Sequence, residues 1–312
     1  MGENLDLTVE CWGIKFQNPV IIASGCWEYD EVISDVFPFK HCGAVVTKTI
    51  TLDKREGNLM PRTTEVDCGM LNSIGLQNEG IYYYVKKILP KLSSELQIPI
   101  ITSIAGFSIE EYAGIASHLD REENVAAIEI NISCPNLERS KEENLLFAQD
   151  AYMSYGVVKA VRESTTKPII VKLSPDVTDI TAVAQAVVDA GADGITVANT
   201  YPAMAVDIET RRPKLANIVG GLSGPAIKPL TLKKLWDVYN SVKTVPIIAS
   251  GGIMDYEDAL EYIICGATFV ALGTVNFINP RAPLEIVSGI KSYLVHHHLS
   301  YAQLIGSLKV DD

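Results

Sequence analysis

Eight short apolar runs of five or six residues recur along the chain: Pro19–Ala23, Ala44–Lys48, Pro99–Ser103, Ala127–Asn131, Pro168–Leu173, Gly194–Ala198, Val245–Ser250 and Thr268–Leu272. They are rich in Val, Ile and Ala and nearly continuous in their hydrophobicity, the pattern of strands covered on both faces. Between several of them lie segments whose apolar residues recur at helical spacing, such as Ile180–Ala190, Thr231–Val242 and Tyr256–Cys265. Gly191-Ala192-Asp193-Gly194 and Gly266-Ala267 mark turns from helix back to strand. Strands alternating with helices predict an α/β fold, a parallel sheet closed into a single (β/α)8 TIM barrel. A doubly wound open sheet is the structural alternative. It fits less well, because no G-x-G-x-x-G follows the first strand and no Walker loop is present.

Two connections are too long to be simple loops. Residues 49–98 follow the second strand and residues 199–244 follow the sixth. Insertions at the C-terminal ends of barrel strands build the mouth where active sites lie. The sequence has no low-complexity segment, short repeat or linker, so residues 1–312 are expected to form one domain.

Composition narrows the partners. A hydrophobic share of 47% supports a large core, and the formal net charge of −12 argues against nucleic acid or an anionic membrane as the main partner. A small anionic substrate remains compatible, since a few inward lysines set a local field. No charged, then apolar, leader opens the chain, and no apolar run approaches the roughly 18 residues of a membrane span. A cytoplasmic location is expected. The 6 cysteines are scattered singly, neither a disulfide framework nor a cradle for zinc or iron–sulfur. His296-His297-His298 falls in a C-terminal helix and points in three directions, so no metal site is expected.

The strand ends carry polar residues in succession: Ser24 and Gly25, Lys48 and Thr49, Thr102, Asn131 and Cys134, Lys172, Asn199 and Thr200, Ser250 through Ile253, and Gly273 with Thr274. Gly251-Gly252 and Gly273-Thr274, after the seventh and eighth strands, would let backbone N–H groups approach a phosphate. Tight turns without a ligand are the plainer alternative. Lys48 and Lys172 end apolar strands, where a charge needs an anionic partner; an anionic substrate and an electron-rich flavin ring both suit. Asn72, Asn131, Asn136 and Asn199 bring donors and acceptors that suit a planar, amide-like ring.

The stretch Asn131-Ile132-Ser133-Cys134-Pro135-Asn136 leaves the fourth strand with a thiol set between two amides. Pro135 holds the backbone before it extended, which aims the thiol from the strand end. Such a thiol is a candidate base, although only about 3% of it is ionised at pH 7 unless its environment helps. A buried, inert cysteine is the alternative reading.

These residues carry a family resemblance. Asn131–Asn136, Met70-Leu71-Asn72-Ser73-Ile74-Gly75-Leu76-Gln77-Asn78, Gly220-Gly221-Leu222-Ser223-Gly224-Pro225 and Ser250–Ile253 together resemble the class 1 dihydroorotate dehydrogenases, over about Leu5 to Leu294. The resemblance implies oxidation of dihydroorotate to orotate in pyrimidine synthesis. In it, Cys134 removes the proton from carbon 5 while carbon 6 delivers hydride to FMN. Lys48, Asn72, Ser73, Ile74, Gly75, Leu76, Asn131, Asn136, Asn199 and Thr200 look like the substrate cradle. Ser24, Lys48, Thr49, Thr102, Asn131, Lys172, Ala198, Gly224, Gly251, Gly252, Gly273 and Thr274 look like the FMN contacts, with Lys172 stabilising reduced flavin. Ser133 to Leu146 resembles the family's mobile lid.

The Met70–Asn78 motif looks like the NAD-linked type 1B subclass, in which a separate subunit carries FAD and a 2Fe–2S cluster. The family also implies a homodimer, or a heterotetramer built on one. Two departures are Cys68 before Gly69, where a small residue such as serine is expected, and Ala249-Ser250 where Gly-Met is expected. Three other readings stay open: the fumarate-linked type 1A enzyme, another FMN-dependent pyrimidine oxidoreductase such as the reductase module of dihydropyrimidine dehydrogenase, and a barrel that serves only as a scaffold. Lys48 with its asparagines favours a substrate that bears a carboxylate.

Overall fold

The computed structural model describes residues 5–29, 39–132 and 147–310. Cys134, Asn136 and the expected lid therefore lie outside the described residues. In chain order the strands are β1 (Val9–Cys11), β2 (Ile14–Phe16), β3 (Val20–Ile22), β4 (Ala44–Val46), β5 (Thr63–Val66), β6 (Gly69–Asn72), β7 (Ile100–Ile104), β8 (Ala127–Asn131), β9 (Ile169–Lys172), β10 (Gly194–Val197), β11 (Tyr201–Met204), β12 (Val206–Asp207), β13 (Arg212–Pro213), β14 (Val219–Ser223), β15 (Ile247–Ala249) and β16 (Phe269–Leu272).

β3, β4, β7, β8, β9, β10, β15 and β16 close into a barrel, each parallel to its neighbours. They are the eight apolar runs: six are trimmed at their ends, β8 keeps its full run and β7 is shifted by one residue to end at Ile104. Every residue of these strands is buried, because helices cover the outer face and packed side chains fill the inner one. Four covering helices begin where a side chain caps the free amides. Ser108 caps Ile109–Asp120, Asp150 caps Ala151–Ser164, Asp179 caps Ile180–Asp189 and Asp255 caps Tyr256–Ile264. None of the described helices is long and apolar enough to cross a membrane.

The barrel interior is divided. Its lower half is apolar, built from Ile21, Ala44, Val46, Ile101, Ala127, Ile170, Ile248, Phe269 and Ala271. The β1–β2 hairpin plugs that end. Its turn, Trp12-Gly13, has φ of 55° and 72°, the paired positive values that a two-residue hairpin needs. Trp12 stacks on Phe269 at 5.7 Å and Phe16 meets the same ring edge-on at 4.8 Å. With the bottom sealed by aromatics, polar inward side chains are left to the C-terminal end.

The two insertions meet at that end. β5 and β6 come from the first, β11 and β14 from the second, and they form one four-stranded antiparallel sheet in the order β11-β14-β6-β5. Asn72 pairs with Gly221 across the junction, and its Nδ2 donates to the Gly221 carbonyl at 3.3 Å. Two sequence segments far apart thus form a single wall over the barrel mouth.

Candidate active site

The strand ends and the inserted sheet enclose a cavity of about 300 Å³. Most of the expected residues line it: Ser24, Lys48 and Thr49; Asn72, Ile74, Gly75 and Leu76; Asn131, Lys172, Ala198, Asn199 and Thr200; and Gly224, Gly251, Gly252, Gly273 and Thr274. Two expected positions do not. Thr102 is fully buried on the helix-facing side of β7, where its hydroxyl meets the Tyr84 Oη at 2.8 Å. Successive strand residues face opposite ways, and it is Ser103 that turns inward. Ser73 is buried beneath its neighbours, taking a hydrogen bond from Asn58 Nδ2 at 2.8 Å. Its role is to hold the loop, not to line it.

Polar side chains join across the mouth. Ser24 Oγ donates to the Thr47 carbonyl at 2.7 Å and lies 3.4 Å from the Thr49 hydroxyl. The Thr49 hydroxyl lies 3.0 Å from Ser103 Oγ and accepts from Asn131 Nδ2 at 3.3 Å. Asn199 Nδ2 reaches Asn131 Oδ1 at 3.4 Å, and the Thr200 amide donates to Asn199 Oδ1 at 2.8 Å. This series runs through β7, β8 and the segments after β3, β4 and β10, and fixes both asparagines' amide orientations before any ligand arrives. The loop after β6 is held as firmly. Leu76 sits at φ 56°, a costly value for a branched residue, and Asn78 fastens it by donating to its carbonyl at 2.7 Å.

The two lysines differ. Lys48 pairs with Glu28 at 2.9 Å, with side-chain exposures of 20% and 63%. An ion pair this exposed is worth at most about 1 kcal/mol, so a bound anion can replace Glu28. Lys172 is 8% exposed and faces the cavity from the end of β9. Nearby Cys26 also lines the cavity, a position the sequence did not single out. Burial pushes its thiol up to about 11, and the Lys172 ammonium offsets only part of that. Cys26 is therefore a neutral thiol at physiological pH.

The far end of the cavity is made of backbone. Gly252 has φ 71°, and a Cβ there would fall 2.8 Å from the Lys228 amide nitrogen, so only glycine lets the loop after β15 lie against the start of the Lys228–Ser241 helix. The Tyr262 hydroxyl ties the two together, donating to the Gly251 carbonyl at 2.6 Å and the Lys228 carbonyl at 3.1 Å. Thr274 Oγ1 donates to Ser223 Oγ at 2.8 Å, closing the same end against the inserted sheet. A chamber with a glycine-lined end, a cation at one wall and amides at another suits a phosphate-bearing, planar cofactor beside a polar heterocycle.

The dihydroorotate dehydrogenase family model matches residues 6–294. This chain belongs to that family. It is 47% identical over 306 residues, 98% of this chain and 99% of the relative, to a Geotalea daltonii protein named dihydroorotate dehydrogenase B (NAD(+)), catalytic subunit. Proteins of the same name from Geotalea uraniireducens, at 46% over 304 residues, and Geobacter sulfurreducens, at 47% over 306 residues, match 97% and 98% of the chain and 98% and 99% of their own lengths.

The two departures from the family pattern sit differently with respect to the dihydroorotate dehydrogenase cavity. Cys68 occupies the exposed β5–β6 turn at φ 56°, and Ala249 is buried at the end of β15, with Ser250 lining the mouth. Residues the sequence reading missed include Cys26, Glu28, Gln77, Ser223, Met254 and Phe277. Gln77 and Ser223 stood inside quoted motifs, and Cys26 directly follows Ser24-Gly25. Phe277 carried no such signal, because it arrives from the short helix Val275–Ile278.

Proposed function

We propose that this chain oxidises dihydroorotate to orotate in pyrimidine biosynthesis, with FMN bound at the barrel mouth and electrons passed to NAD through a partner subunit. The observation that carries this reading is the convergence of Lys172, the asparagine series and the glycine loops on one cavity. The family is FMN-dependent, and the end of the cavity lined by Gly224, Gly251, Gly252 and Gly273 agrees with a ligand that needs close backbone approach. When bound, FMN supplies the two-electron acceptor. Ser24, Thr49, Ala198, Gly224, Gly251, Gly252, Gly273 and Thr274 hold it. Lys172 places a positive charge where negative charge develops. Cys134 accepts the proton from carbon 5. Lys48 takes the substrate carboxylate, while Asn72, Asn131, Asn136, Asn199 and Thr200 orient the ring amides.

The onward route rests on the relatives' printed names, which specify NAD and a catalytic subunit. We assign FAD and a 2Fe–2S cluster to the partner, because this chain's 6 cysteines are dispersed in sequence and among the described residues no cluster of metal-ligating side chains is found. Met204 and Val219, paired across β11 and β14, are 56% and 43% exposed, and Ile208 and Ile218 in the same insertion are more than half exposed. Apolar exposure of this kind on the inserted sheet supports a homodimer, or a heterotetramer built on it.

The deciding experiment is the visible spectrum of the purified chain, before and after anaerobic dihydroorotate. A flavin band that bleaches is the expected result. A band that stays oxidised removes dihydroorotate as substrate, and a chain that never retains flavin removes FMN. NAD with the partner, and fumarate, are then compared as acceptors. Glu28→Gln is expected to lower the KM for dihydroorotate roughly 2–5-fold, the range set by an exposed ion pair, with kcat unchanged. A KM that stays the same would mean that Glu28 does not compete for Lys48.

A further inference from the structure

A second charged side chain lies inside the barrel, below the cavity. Glu129 is 2% exposed. Its neighbours on β8, Ile128 and Ile130, pack outward against the helices, while Ala127 belongs to the inner cluster and Asn131 lines the mouth. Glu129 therefore points inward, one layer beneath Asn131. Lys172 and Thr196 point inward on the next two strands by the same alternation, since Ile170 lies in the inner cluster and Ile195 and Val197 pack outward.

The register locates the carboxylate. Glu129 pairs with Ile170 on β9, Asn131 pairs with Lys172, and Lys172 pairs with Thr196 on β10. Thr196 Oγ1 donates to Glu129 Oε2 at 3.1 Å. To be reached by that hydroxyl, the carboxylate must cross the inner face of β9 between Ile170 and Lys172, at the foot of the lysine side chain. Its other oxygen, Oε1, has no hydrogen-bond partner among the described residues. Among the described residues the Lys172 ammonium makes no ion pair or hydrogen bond either. The register thus sets a carboxyl and an amine on adjacent strands, one layer apart on the inner face and more than ion-pair distance from each other, each with unmet hydrogen-bonding demand. A lone charge at either position would carry an uncompensated desolvation cost, which an opposite charge one layer away offsets in part.

We propose that Glu129 is a positioning residue, the buried counter-charge that holds Lys172 in place and tempers how strongly that cation stabilises negative charge on the bound flavin. This rests on the flavin reading above. With the carboxylate present, the field that Lys172 projects into the cavity is partly cancelled. Replacing it by a neutral amide of the same shape leaves the full positive charge facing the cofactor, so the reduced, more negative form gains.

The test has two arms. In the holoprotein, Glu129→Gln is expected to shift the reduced-to-oxidised FMN ratio at fixed potential at least tenfold toward reduced, about 30 mV for a two-electron couple. Lys172→Met should move it the other way, and Glu129→Asp, which keeps the charge, should stay near the native value. An unchanged potential in Glu129→Gln overturns the proposal.

The second arm uses the apoprotein. Glu129→Gln and Lys172→Met are each expected to lower the melting temperature. The double variant should melt well above the sum of the two losses, because removing both charges leaves neither unpaired. Strictly additive losses overturn the pairing. If the native chain binds no FMN, the flavin reading falls and the apoprotein cycle still decides whether the two charges are coupled.

Discussion

Cys134→Ser is expected to slow the anaerobic bleaching of the flavin band by dihydroorotate by about 10²–10⁴, the contribution of one positioned acid or base, while FMN stays bound. The residue lies beyond Ile132, the last described position after β8, which is itself buried. Asn131, three residues before it in sequence, lines the barrel mouth. The competing base is Cys26, the cysteine that lines the cavity in the described structure. Its thiol, pushed up to about 11 by burial, is ionised at roughly one part in 10⁴ at pH 7. An ordinary thiol near 8.5 is ionised at about 3%.

The pH profile separates the two. Deprotonation makes the base, so the rate rises with pH and levels off above the pKa of the group responsible. A rise that continues beyond pH 10 belongs to Cys26, and one that levels off well below that excludes Cys26 as the base. Cys26→Ser should change the rate less than threefold or so, since a neutral thiol contributes packing only. Full activity in Cys134→Ser at neutral pH would leave Cys134 without a role.

Lys172→Met is expected to reduce the same bleaching rate by about 10²–10³, the usual loss when one preorganised electrostatic group is removed from a reacting centre. Lys172 is held at the end of β9 between Asn131 and Thr196 in the sheet register, so its position is set by the barrel rather than by a loop. Methionine keeps the length of the stem and deletes only the charge. Stopped-flow reduction reads the effect directly. A loss under about threefold would mean that the ammonium does not face the developing charge. A variant that still binds FMN but reduces slowly supports the assignment, because a merely structural lysine would show its loss in affinity or melting temperature first.

Much of this architecture is written in local pattern. Continuous apolar runs such as Pro168–Leu173 can only be strands hidden on both faces, and the eight of them matched β3, β4, β7, β8, β9, β10, β15 and β16. Polar residues at the C-terminal end of each run could then be assigned to one mouth, since parallel strands all end on the same side. Thr102 shows the limit of that inference. A strand end with two adjacent hydroxyls, Thr102 and Ser103, presents one to each face, and which one turns inward depends on the pairing with β8. Ser73 shows another, because a loop residue lines a cavity or supports it according to contacts with Asn58 that lie outside its own motif.

Residue order by itself determined the class of fold, the end of the barrel that carries chemistry and the residue types gathered there. Those follow from hydrophobic periodicity and chain direction, both of which are local. Tertiary structure alone decided that the two insertions join as one sheet, that Glu28 holds Lys48, that burial disables the Cys26 thiol, and that Glu129 takes a hydrogen bond from Thr196 two strands away. Each of those depends on distances between segments remote in sequence and on how completely water is excluded between them, which only the closed barrel sets.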